Sequence, residues 1–354
     1  MSSTTPDTSV TFTWTWTTYS QLIMALIGVI GNGLVIAVYN RKRQSTSATN
    51  ELLVALAVAD LMTSILLIPL PIWKNVPSDW RGQIYCKLVF SDAFVWTAIA
   101  MSVFTLTVVS FERYLAISYP SKYPLVFSSS SRSKIVAGIW IVSILLNAYI
   151  FAIWISVDGK CQIVWLTPWM PKLLGVTLFL LKYLLPVGIM SVTQIATSFK
   201  LNLQRQELLA RGVDKSSPAF LSLEVKSRVV AMLRVVVITF ILCWSANQVG
   251  HFGYTIGLKP FRYFLGTFYR YSVQLAFLNS ILNPFIYAFT NASFRDGLRQ
   301  LLLCRSPTPT DSLKTISATA KNAMTGDKTT TFTVSIGSDY SMNRSQIGLE
   351  IINH

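Results

Sequence analysis

The chain has 354 residues, 52% of them hydrophobic and only 13% charged, with a mean hydropathy of +0.49. That composition is too apolar for a water-soluble domain, which needs a polar coat, so a bilayer is the expected solvent. A formal charge of +15 would suit a nucleic-acid partner. The basic residues, however, sit in connections between apolar runs and form no single polar domain, so no nucleic acid is expected.

Residues 1–20 are rich in Ser and Thr and lack the basic start and apolar core of a cleaved leader. The first apolar run is therefore expected to serve as the insertion signal. Apolar runs cover 22–39, 52–73, 87–109, 135–155, 173–199, 229–252 and 264–289. A span of the hydrocarbon layer takes about 20 such residues, and a helix satisfies its own backbone in lipid. The expected fold class is all-α, an integral membrane bundle of seven transmembrane helices.

Orientation follows from the basic residues: the first 20 residues carry no Lys or Arg, whereas the first connection reads Arg41-Lys42-Arg43. The N-terminus is expected outside and the C-terminus inside; the other connections show only a modest bias. Beyond the last span, Phe294, Leu298, Leu301 and Leu302 recur at helical spacing against Arg295, Asp296 and Arg299. That pattern predicts a short amphipathic helix on the inner membrane surface. The expected organisation is an extracellular tail (1–20), a transmembrane domain (21–290), the surface helix (291–304) and a disordered Ser/Thr-rich cytoplasmic tail (305–354).

Of the four cysteines, Cys86 and Cys161 fall outside, Cys243 within the sixth span and Cys304 at the inner surface. Only the first two share an oxidising compartment, so a Cys86–Cys161 disulfide is expected. Cys304 is a lipidation candidate, with an unmodified interfacial thiol as the other reading.

Ionisable groups inside spans are costly and mark function. Here they are Asp60, Asp92, Glu112, Lys182 and Arg234. Glu112-Arg113-Tyr114 closes the third span as a local ion pair that helix movement could release, or as a charge pair that only marks the membrane edge. In Asn283-Pro284-Phe285-Ile286-Tyr287 the proline frees a backbone carbonyl, so a hinge is expected. Asn32, Asp60, Ser102, Asn279, Ser280 and Asn283 share mid-depth in different spans. They could converge on one cluster able to hold water or a small cation; separate bonds to backbone carbonyls suit the Ser and Asn residues but not Asp60.

With Gly31-Asn32, Leu56-Ala57-Val58-Ala59-Asp60, Trp140, Pro186 and Cys243-Trp244 in order between these motifs, the chain resembles the rhodopsin-like (class A) G protein-coupled receptors from about Gly31 to Cys304. The resemblance implies a plasma-membrane receptor in which a ligand shifts Trp244 and the packing of Val103, Pro186 and Phe240. The sixth span then swings out, and a heterotrimeric G protein docks where Arg113 faces it. It also implies an allosteric sodium ion at Asp60 and a tail engaged by receptor kinases and arrestin; no other cofactor is expected.

The family pattern is broken in places. Ala246 stands where the family has Pro, Gln194 where it has Tyr, and the stretch from Cys86 to Arg113 is two residues longer than the pattern. A bulge or displaced loop cysteine is expected there. Neither Val95 nor Ala93 supplies the acid of amine receptors, and Phe277 replaces the lysine of opsins. Outer loops bearing Trp80, Trp165 and Trp169 look most like the peptide-receptor branch. Asp92, Trp96, Lys182, Asn247, Gln248, His251 and Tyr269 are the ligand-binding candidates. Lys182 is read as contacting an acidic ligand group or Asp92, or else as reaching water; a small acidic or lipid-like ligand is the alternative to a peptide. A transporter should show repeated halves with broken helices, and an enzyme an activated nucleophile or metal spacing; neither pattern is present.

Overall fold

The computed structural model describes residues 10–41, 47–258 and 266–303, apart from the side chain of Ser293. Among the described residues seven helices are long and apolar enough to cross a membrane: α1 (Trp16–Arg41), α2 (Ala48–Leu66), α3 (Trp80–Ser118), α4 (Ser129–Ile153), α5 (Met170–Ala210), α6 (Pro218–Thr255) and α7 (Thr267–Thr290). A shorter α8 (Ala292–Leu302) follows. The predicted tail 305–354 and Cys304 lie outside the described residues.

Local chemistry sets several helix starts. Ser128 and Ser217 accept hydrogen bonds from the backbone of Ser131 and Phe220 (3.2 and 3.3 Å), capping α4 and α6. Pro218 follows Ser217 at the first helical position, where its missing N–H has no cost. Asn291 caps α8 by accepting from Phe294 N (3.1 Å).

The hydropathy boundaries need correction at both ends of several spans. α1 begins at Trp16, inside the segment read as tail. α2 stops at Leu66, not at Trp73, because Pro69 and Pro71 cannot continue a helix. Ile72–Trp73 instead forms β2, paired antiparallel with β1 (Val10–Thr11). α3 starts at Trp80, where Asp79 accepts from the backbone of Arg81 and Gly82 (3.0 and 3.3 Å). α6 runs uninterrupted past Ala246, with no proline inside the helix where the family has one.

The extra length between Cys86 and Arg113 has a definite location. α3 is α-helical over Trp80–Ile84, widens to a π-helical turn over Tyr85–Phe90, and breaks at Asp92, whose φ of 53° is left-handed. Regular helix resumes over Ala93–Ser118. A π turn absorbs added residues without unpairing the backbone, so the cysteine keeps its place. Cys86 is bonded to Cys161, with Cα atoms 5.3 Å apart. Cys161 lies in the hairpin of β3 (Trp154–Val157) and β4 (Lys160–Ile163), opposite Ser156. Gln83 donates to Ser156 O of the hairpin (3.1 Å) and Lys87 to Phe151 O at the end of α4 (2.7 Å), so side chains of α3 also hold the hairpin and the helix that leads into it. The bridge closes a separation of 75 residues. Cys161→Ser should therefore lower stability by roughly 2 kcal/mol or more, read as earlier thermal unfolding of the solubilised protein; an unchanged unfolding curve would refute this.

Packing fixes the remaining geometry. A Cβ on Gly31 would stand 3.0 Å from Pro284 Cγ, so the absence of a side chain lets α1 lie against α7 at its proline. In α8, Phe294 is buried against Tyr39 and Tyr287, and Leu298 and Leu301 pack on the core. Leu302, predicted on the same face, is 67% exposed.

Candidate functional site: a cavity, a polar cluster and a charged latch

Beneath the disulfide-bearing end of the bundle lies a cavity of about 170 Å³ lined by Trp96, Lys182, Asn247, Gln248, His251 and Tyr269, with Val103 and Trp244 also in its wall. Six of the seven ligand-binding candidates thus come together. The seventh does not: Asp92 faces a separate cleft of about 540 Å³, shared with Phe12, Thr13 and Gln21 at the start of the chain and with Phe277. Trp96 and Phe277, with ring centroids 6.5 Å apart, stand between the two.

A Lys182–Asp92 ion pair is not formed. Lys182 sits on a second π-helical turn, Leu180–Leu184, just before Pro186, and donates to Asn147 Oδ1 at 2.6 Å. Its ammonium also lies 6.0 Å from the centroid of the Tyr149 ring. Asn147 is fully buried in α4 and donates to Ser143 O (2.7 Å), which fixes its oxygen as the acceptor for Lys182. Ser143 and Asn147 were visible in the sequence as polar residues one turn apart in an apolar span. Their partner was not.

Trp244 links the cavity to the core. It is buried, its Nε1 has no hydrogen-bond partner among the described residues, and its ring lies 6.2 Å from that of Phe240. Val103, Pro186 and Phe240 are all buried. Next to Trp244, Ser245 Oγ hydrogen-bonds Tyr183 Oη at 2.5 Å and joins α6 to the π turn of α5. No sequence signal pointed to that bond. Gln194 is buried on α5 with its Oε1 unpartnered among the described residues.

Of the six polar residues at mid-depth, Asp60, Ser102 and Asn283 join through side-chain bonds and Asn32 joins Ser280 of α7, while no bond among the described residues brings in Asn279. Asp60, fully buried, accepts from Ser102 Oγ and Asn283 Nδ2, each at 2.7 Å. Asn32 Nδ2 donates to Gly28 O and Ser280 O, both at 3.0 Å. Asn279 lies buried in α7. Asn32 Oδ1, Asn279 Oδ1 and Asn283 Oδ1 have no partner among the described residues, and neither has the Tyr287 hydroxyl.

At the opposite end Glu112 is fully buried and ion-paired with Arg113, whose Nε donates to Oε2 at 2.5 Å. The same carboxylate accepts from Thr49 of α2 (3.0 Å) and from Tyr123 in the α3–α4 connection (2.7 Å). Burial, then the bond to Glu112, pushes the Tyr123 phenol up to about 12. It therefore remains a proton donor across physiological pH and loses that role only as pH rises through about 12. Tyr114 stacks edge-on against Tyr119 and takes no part in the pair. Ile117, Leu201, Leu223 and Val230 seal α3, α5 and α6 together nearby, and Arg234 of α6 donates to Ser198 of α5 (2.9 Å).

Seven apolar helices around a buried acid, with an accessible cavity at one end and a latched arginine at the other, define a multi-pass membrane protein of receptor architecture. Residues 31–287 match the 7 transmembrane receptor (rhodopsin family), and the chain belongs to that family. It is 29% identical to the mouse (Mus musculus) galanin receptor type 2, across 80% of this chain and 76% of that one. The Bombyx mori allatostatin-A receptor is 26% identical, covering 80% and 78%. The Branchiostoma floridae QRFP-like peptide receptor is 28% identical, covering 80% and 76%.

Proposed function

We propose that the chain is a plasma-membrane peptide receptor that activates heterotrimeric G proteins, with its N-terminus and disulfide outside and Arg113 at the cytoplasmic face. The names of its relatives support a peptide ligand, and the basic Arg41-Lys42-Arg43 connection supports the orientation. The observation that carries the mechanism is the cavity bounded by Trp244. Drug-sized ligands occupy roughly 300–1,000 Å³, so about 170 Å³ takes one or two residues of a peptide end. Pressure on Trp244 then repacks Phe240 and Val103, and the outward swing of α6 uncovers Arg113. The Ser/Thr-rich tail would serve receptor kinases and arrestin, and Cys304 lipidation.

A sodium ion fits the residues around Asp60: a buried carboxylate, a hydroxyl from Ser102 and the unpartnered amide oxygen of Asn283 form an acceptor-rich cluster. Bound there, the ion would supply positive charge that holds α2, α3 and α7 in the ligand-free arrangement.

Expression in cells with a peptide library, reading nucleotide exchange on G proteins alongside uptake and conductance, tests the reading. Peptide-dependent exchange supports it. Solute transport without exchange, or a response confined to non-peptide acids or lipids, overturns it. Within this reading, Ser245→Ala removes the α5–α6 bond to Tyr183, worth about 1 kcal/mol. Agonist-independent exchange should rise roughly fivefold, with Tyr183→Phe acting in the same direction; no rise at matched surface levels would count against a restraining role for this bond.

A further inference from the structure

The two cavities at the disulfide-bearing end have opposite charge and share a wall. Among the described residues no acidic side chain lines the Trp244 cavity, whereas two basic ones do, Lys182 and His251. The Lys182 ammonium spends one of its three N–H donors on Asn147 and faces only neutral groups there and at Tyr149. Gln248 donates to Asn247 Oδ1 (3.2 Å) and Asn247 to Ser272 (3.4 Å), so these amides pair within the protein and supply no counter-charge. The neighbouring cleft is the mirror case. Among the described residues Asp92 is the only charged one lining it, and it forms no ion pair with any of them. It lies at the end of the π turn with a left-handed backbone and lines that cleft.

A charge at this depth without a counter-ion is costly, and a ligand that brings the missing partner gains on both affinity and selectivity. We propose that the activating peptide is dipolar at its inserted end: it seats a carboxylate on Lys182 and a cationic group on Asp92, straddling the wall of Trp96 and Phe277. This rests on the peptide-receptor reading above. Lys182 and Asp92 are thus paired through the ligand and not with each other, and wholly neutral or wholly cationic peptides are rejected. The carboxylate can be a Glu or Asp side chain or a free C-terminus.

The test uses the full-length receptor at the surface of cells and a synthetic library of short peptides, each made in matched forms. One arm replaces Glu by Gln, a second replaces the C-terminal carboxylate by carboxamide, and a third replaces Lys or Arg by norleucine. Removing the carboxylate should reduce potency at least about thirtyfold on the native receptor but change little on Lys182→Met. Removing the cation should behave likewise with Asp92→Asn. The first two arms identify the carboxylate's source. Equal potency of the matched acid and amide forms on the native receptor in both of these arms, or additive losses from peptide and Lys182 changes, overturns the proposal while leaving a peptide receptor in place. Exchange evoked by no peptide, with the receptor at the surface, overturns the peptide reading itself. Should Lys182→Met fail to reach the surface, Lys182→Arg provides the second variant: it should keep the preference for the acid form, and loss of that preference counts against the proposal.

Discussion

Glu112→Gln is expected to raise agonist-independent nucleotide exchange by about one to two orders of magnitude. The buried carboxylate is the hub of the latch: it pairs with Arg113 and accepts from Thr49 and Tyr123, so α2, α3 and the α3–α4 connection meet on one group. Hydrogen bonds to a charged group contribute about 1.5–3 kcal/mol, and loss of that much from the latched state shifts a two-state equilibrium by roughly tenfold to more than a hundredfold. Gln keeps one acceptor and the shape of the side chain, so the change isolates the charge. The apolar seal of Ile117, Leu201, Leu223 and Val230 remains, which bounds the gain. Exchange measured at matched surface density decides it. An unchanged or reduced rate would mean that the pair marks the membrane edge and restrains nothing.

The pattern of what could be read from the chain follows from the range of the interactions concerned. Seven spans were legible because burial in lipid writes a local signal, about 20 apolar residues in a row. The ends were less so: Pro69 and Pro71 were in plain view, but the apolar run through Trp73 outweighed them until the pairing of β1 with β2 took Ile72 and Trp73 out of the helix. The surplus between Cys86 and Arg113 announced a bulge; its form, a π turn followed by left-handed Asp92, depends on how the hairpin and disulfide hold the helix. The Asp60 cluster was legible as polar residues at a common depth. The partners of Lys182 and Glu112 were not, since Asn147 and Tyr123 meet them only through tertiary packing, and a tyrosine in a connection carries no local mark of that role.

Sodium provides the largest effect expected from the cluster. Asp60 receives two donors, yet the amide oxygens of Asn32, Asn279 and Asn283 remain without one among the described residues. A buried site with more acceptors than donors is completed by a cation or by water. Replacing choline chloride with sodium chloride at constant ionic strength should therefore lower agonist affinity by about tenfold, which corresponds to ~1.4 kcal/mol of coupling. It should also raise the thermal stability of the purified ligand-free receptor, because an ion that binds one folded state stabilises it by mass action. Asp60→Asn should abolish both responses, since it removes the only negative charge in the cluster, while the amide can still hydrogen-bond Ser102 and Asn283. The stability readout needs neither agonist nor G protein, so it separates ion binding from signalling. An identical shift with potassium would mean that the receptor senses ionic strength, and a sodium response that survives Asp60→Asn would locate the ion elsewhere. A bound ion would give α2, α3 and α7 one shared charge. Agonist pressure on Trp244 would then work against it, and on this proposal the cluster is the point where events at the cavity are weighed against the Glu112–Arg113 pair.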